Sequence, residues 1–155
     1  MKHIFLILTL LISCSKSTRH LTSVYIDDNS ITKINLFKGE YRINNYGGND
    51  PIVKFSVSDS EKENLVKSYR KNKISKLGEK VYVVDQEQKV KMQLYTTTYT
   101  LLFNDGSRQE IYVITDYETD PLKKFENLKL FISDIENLIS KKQELQNLPD
   151  FNYLR

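Results

Sequence analysis

The sequence predicts an α+β domain, an antiparallel β-sheet with a long C-terminal helix packed on one face and a shorter helix between strands. Three observations carry that expectation. Short runs rich in β-branched and aromatic residues recur between Leu21 and Thr115. Turn-forming clusters separate them, and after Pro121 the apolar residues switch to a spacing of about 3.6.

Leu21 to Ile26 and Ile31 to Phe37 read as strands around Asp27-Asp28-Asn29-Ser30, a turn composition, and so predict a first hairpin. A short run at Tyr41 to Ile43 leads into Asn44-Asn45-Tyr46-Gly47-Gly48-Asn49-Asp50-Pro51, the most loop-like segment, before a strand over Ile52 to Val57. Ser58 followed by Glu61 fits a capping box, in which hydroxyl and carboxylate each satisfy an orphan N–H at a helix start. The helix should run to about Lys73 on a narrow stripe of Leu65, Val66 and Tyr69.

Val81 to Val84 reads as a further strand. The clearest hairpin spans Lys91 to Phe103 and Ser107 to Thr115, since Asn104-Asp105-Gly106 places Gly where a left-handed turn residue is wanted. With Phe103 facing Ser107, Tyr99, Leu101, Ile111 and Val113 share the core face, while Thr96, Thr98, Thr100, Arg108 and Glu110 take the other. Asp120 offers an N-cap and Pro121 suits the first helical position, predicting a helix to about Lys142. Its stripe is Leu122, Phe125, Leu128, Phe131, Ile132, Ile135, Leu138 and Ile139, and the tail from Gln143 is expected to fray.

The N-terminus carries a different signal. Lys2 and His3 precede an apolar run from Ile4 to Ile12, broken only by Thr9, too short to span a bilayer and typical of a signal peptide. The chain contains no alanine, so an Ala-x-Ala cleavage site is absent. Leu11-Ile12-Ser13-Cys14 resembles instead the lipobox of bacterial lipoproteins, and the likeness is confined to the segment ending near Ser15. It implies recognition of Leu11, Ile12 and Ser13 by the lipoprotein signal peptidase, cleavage before Cys14, and acylation of Cys14. Ser15 after the cysteine implies the outer membrane rather than the inner. The expected organisation is a signal peptide over 1–13, a lipidated tether over 14–20, one α+β domain over 21–145 and a tail over 146–155.

Composition narrows the chemistry. Cys14 is the sole cysteine, which excludes an intramolecular disulfide and a multi-cysteine metal site. A net charge of +3 beside 28% charged residues is too small for a polycation built for nucleic acid. Histidine is the usual base for an activated nucleophile, and only His20 remains after His3 leaves with the signal peptide. No cofactor motif, metal site or catalytic residue set is therefore expected.

Three patterns remain. Asp116, Glu118 and Asp120 alternate along a connection and read first as a polar turn and helix cap, with a carboxylate-based hydrolase as the rival. Lys67, Arg70, Lys71, Lys73, Lys76 and Lys80 form the densest basic stretch, which reads first as a solvated helix face and otherwise as a contact for anionic headgroups or lipopolysaccharide. Tyr41, Tyr46 and Asn49 flank or lie in the Gly-rich loop and are the candidate partner-binding residues. The sequence thus points to a membrane-anchored, non-enzymatic binding module of the cell envelope with an envelope protein as partner. An inhibitor or immunity protein acting on a hydrolase or toxin is the alternative.

Overall fold

The computed structural model describes residues 19–29, 31–43, 52–84, 94–115, 120–146 and 148. Strands β1 (Leu21–Asp28), β2 (Thr32–Asn35), β3 (Glu40–Ile43), β4 (Ile52–Lys54), β5 (Lys80–Val84), β6 (Tyr95–Phe103) and β7 (Arg108–Thr115) make one sheet. Its order is β4-β3-β2-β1-β6-β7-β5. Helices α1 (Asp59–Lys71), α2 (Glu126–Ser140) and the short α3 (Gln143–Gln146) complete the described elements with two 3-10 turns, at Ile74–Leu77 and Pro121–Lys124.

Strand alternation builds the core. Val53, Tyr41, Ile34, Ile26, Tyr99, Ile111 and Val81 are successive cross-strand partners, so one apolar row crosses all seven strands on the helix side. Apart from the half-buried Val53, every member is buried. α1 and α2 lie over this face, where Tyr69 of α1 meets Phe103 of β6 at 5.5 Å and Phe131 of α2 edge-on at 5.9 Å. Leu128, Phe131, Ile132, Ile135, Leu138 and Ile139 form the buried stripe of α2, as the sequence periodicity predicts.

The local signals at α1 and at the β6–β7 hairpin hold. Ser58 and Glu61 form both halves of the capping box. Gly106 adopts φ +78° in the hairpin loop, and the register pairs Tyr99 with Ile111 and Leu102 with Arg108. Tyr99, Leu101, Ile111 and Val113 are buried as the hairpin register requires.

Four expectations are corrected. The sheet is antiparallel except at β5, which pairs with β7 in parallel. α1 carries the chain from β4 at one edge to β5 at the other, and such a crossover frees the arriving strand from hairpin direction. The continuous helix expected from Asp120 to Lys142 is broken at Phe125, whose φ of −123° and ψ of 55° are not helical. Asp120 and Pro121 do start a turn, but it is a 3-10 turn that packs on β7 and β5. α2 then restarts at Glu126 and spans 15 residues, about 22 Å.

The expected fraying from Gln143 is also wrong for the residues nearest α2. Leu145 is fully buried, and Glu144 accepts a hydrogen bond from the Ser56 N–H at 3.2 Å. Finally, the fold includes Arg19 and His20, placed above in the tether. The Arg19 guanidinium lies 3.7 Å from the Phe103 ring centre, and His20 and Asn104 exchange hydrogen bonds of 2.8 and 3.0 Å.

Candidate functional site

With the helices on one side, no described element covers the other face of the sheet. Its residues alternate with the core row and divide into two halves. Across β2, β3 and β4 stand Lys33, Arg42, Lys54 and Glu40, with ion pairs from Lys54 and Arg42 to Glu40 and from Lys33 to Asp27. This half is mainly charged, with Ile52, the cross-strand partner of Arg42, its one exposed large apolar residue among the described residues. Lys54 and Arg42 hold the Glu40 carboxyl below its usual range.

The half over β5 and β7 is different. Tyr82 and Tyr112 are parallel-strand partners whose rings stack at 4.8 Å and 8°. Tyr82 is 61% exposed. The next row on this face pairs Val84, also exposed, with the half-buried Ile114. Thr98 and Thr96 of β6 extend the two rows inward. An apolar patch therefore sits at the sheet edge, because β5 has β7 as its one strand neighbour in the sheet order.

Charges rim the patch. Glu110 accepts a hydrogen bond from the Tyr112 hydroxyl at 3.0 Å and is approached by Arg108 at 3.5 Å and Lys80 at 3.8 Å. The hydrogen bond to Glu110, which favours the protonated phenol, raises Tyr112 above its ordinary value. A stacked aromatic pair with aliphatic neighbours inside a charged rim has a composition common at the centres and rims of protein interfaces.

A concavity of about 500 Å³ lies open between α1 and α2 and is lined by Glu61, Asn64, Leu65, Asp134, Asn137, Leu138 and Lys141. Its carboxylates are engaged structurally. Glu61 binds Lys142 at 2.7 Å and caps α1, while Asp134 accepts from Ser68 at 2.6 Å. Lys142, followed by the Ser58 N–H, holds Glu61 below its usual range. Among the described residues no cluster of three His, Cys, Asp or Glu could hold a metal ion.

The residues singled out from sequence fall differently. Tyr41 is fully buried in β3, between Ile34 and Val53, and not on a loop surface. The pleat turns it toward the helices, so its side chain serves the core and cannot reach a partner. Asp120 caps the Leu122 N–H and pairs with Lys129, which lowers its pKa, the polar turn and cap expected first. Leu11, Ile12, Ser13, Cys14, Tyr46, Asn49, Asp116 and Glu118 lie outside the described residues. Sequence reasoning missed Tyr82 and Tyr112. Each sits between apolar residues, in Val81-Tyr82-Val83 and Ile111-Tyr112-Val113, and alternation alone puts both opposite the core. Their stacking follows only from the parallel pairing of β5 with β7.

No family model, curated protein or solved structure matches the chain. No described helix is long and apolar enough to cross a membrane.

Proposed function

We propose that this chain is a lipid-anchored protein of the cell envelope whose folded part is a non-enzymatic binding module, engaging an envelope protein through the uncovered β5–β7 half of its sheet. The observation that supports the binding surface most is the stack of exposed Tyr82 on half-buried Tyr112, beside exposed Val84 and half-buried Ile114. Charges could keep that face soluble, as they do across β2 to β4, yet apolar and aromatic groups occupy it. Large exposed apolar groups gathered in one place cost solubility and are retained where they meet a partner. The anchor is supported by Leu11-Ile12-Ser13-Cys14. Outer-membrane residence follows from that likeness through Ser15.

Two measurements test the two halves. Palmitate labelling in cells should mark the wild type and vanish for Cys14→Ser; equal labelling rejects the anchor. Affinity capture from solubilised envelopes should hold a discrete protein on the wild type and lose it on Tyr82→Ala/Tyr112→Ala. Retention of the same protein by that double variant, with its fold intact, rejects the patch.

A further inference from the structure

We infer that the end of the domain carrying Lys67, Arg70, Lys71, Lys73 and Lys76 docks electrostatically on the anionic phospholipid headgroups to which the anchor leads. The inference rests on the lipid anchor proposed above and adds an orientation to it.

Geometry supplies the first argument. His20 is bonded to Asn104 in the β6–β7 loop, and the Arg70 guanidinium donates to its Nδ1 at 2.6 Å. The Gln109 amide at the start of β7 donates to the Ile74 and Gly78 carbonyls at 3.0 and 2.6 Å. The start of β1, the hairpin loop, the C-terminal end of α1 and the 3-10 turn after it therefore share one end of the domain. Arg19 is fixed there over Phe103. Only four residues separate it from Cys14, five Cα steps that reach at most about 18 Å even fully extended. Lipid on Cys14 thus brings this end, and not the β1–β2 turn at the opposite end, to the headgroups.

Charge supplies the second. Lys67, Arg70, Lys71, Lys73 and Lys76 are all exposed. Among the described residues none of them has an ion pair, which holds elsewhere for the scattered Lys38, Lys123 and Lys141, whereas Lys33, Lys54, Lys62, Lys80, Lys129 and Lys142 each have one. Arg70 and Lys71 in the last turn of α1 also favour its negative end, so helix stability explains those two. It does not explain Lys73 and Lys76, which lie beyond the helix. Lys73 further adopts φ +54°, a conformation unfavourable for a side chain this large. Among the described residues Glu63, Glu79, Asp105, Glu110 and Asp134 are the acidic groups near this end; Asp105 is turned to the Ser107 hydroxyl and N–H, Glu110 to Lys80 and Arg108, and Asp134 to Ser68. A cationic surface held within one tether length of a bilayer is attracted by anionic lipid and released by salt.

The test uses the lipidated chain in vesicles. Because lipid consumes the thiol of Cys14, a single added cysteine gives a unique label. One is placed at exposed Ser75→Cys, at the basic end, and another at exposed Ile31→Cys, at the opposite end. Quenching by nitroxide headgroup lipid is compared between phosphatidylcholine vesicles and vesicles with about one third phosphatidylglycerol. The ratio of quenching at 75 to that at 31 should rise at least roughly twofold with phosphatidylglycerol and fall back in about 1 M salt. Lys71→Glu/Lys76→Glu should remove the phosphatidylglycerol response while the protein still floats with the vesicles. A ratio indifferent to lipid charge, or unchanged by the charge reversal, overturns the docking alone. Failure of the wild type to float with vesicles of either composition overturns the anchor, and the orientation with it.

Discussion

The two faces of the sheet are made from the same strands by the same alternation, yet they obey different rules. On the covered face one apolar row runs across all seven strands and meets Tyr69 and Phe131 from the helices. Burial accounts for that apolar row, and Gln109, the buried polar residue beside it, is held by the Tyr69 hydroxyl and the Ile74 and Gly78 carbonyls. On the open face, Lys33, Arg42 and Lys54 meet the ordinary demands of a wet surface around a single exposed Ile52, whereas exposed Tyr82 and Val84 gather with half-buried Tyr112 into one patch that does not. Stability explains the first face and solubility half of the second. The remainder is where a partner is expected.

That contrast yields graded consequences. Removing a fully buried ring, in Phe131→Ala, should cost about 3–5 kcal/mol, because Phe131 is fully buried and touches Tyr69. Urea unfolding would measure it. A cost below about 1 kcal/mol would mean that α2 is not seated on the sheet as described. Gly39→Ala should cost about 3 kcal/mol. Gly39 has φ +61°, and an added Cβ would lie 1.8 Å from the Phe55 carbonyl oxygen, so the turn that delivers β3 and its buried Tyr41 must shift. A stable Gly39→Ala variant with an unchanged midpoint would contradict that close approach.

The helix layer has a pH-sensitive tie. Glu61 is held below its usual range by Lys142 and the Ser58 N–H, so its contribution is present above the ordinary carboxyl value of 4.5 and is lost as pH falls through the lower folded value. Glu61→Gln should be less stable than wild type at neutral pH by about 1 kcal/mol, and the gap should close on acidification. Midpoints that run parallel for the two proteins across the acid range would show that the tie contributes nothing. The smallest effect belongs to the open face. Tyr82→Ala should shift stability by no more than about 0.5–1 kcal/mol, the worth of an exposed aromatic pair. A loss as large as that of Phe131→Ala would place Tyr82 in the structural core and dissolve the contrast.

How far these features can be read from sequence depends on range. The β6–β7 hairpin is legible because Asn104-Asp105-Gly106 fixes its register locally, and with it the burial of Tyr99, Leu101, Ile111 and Val113. The capping box at Ser58 and the stripe of α2 are local in the same sense. The direction of β5 is not, since its neighbour β7 arrives more than twenty residues later and no turn couples them. Tyr41 misleads because a tyrosine beside a loop suits an exposed anchor and a buried core position equally well. The break at Phe125 is hidden because Leu122 and Phe125 keep their place in the apolar stripe, and both stay half-buried against the core although the backbone between them is not α-helical. The patch itself is legible only by halves, as Tyr82 and Tyr112 each point away from the core but meet through the nonlocal pairing.

The proposed division between a structural face and a binding face is tested most directly in living cells. A photo-crosslinking residue placed at Tyr82 on the open face is compared with one at Leu130, the exposed apolar residue of α2, 56% accessible on the helix layer. Similar exposure makes the two positions equally able to react. A discrete protein adduct at position 82 and none at 130 is the predicted result; an adduct at 130 with none at 82 would move the partner to the helices and contradict it.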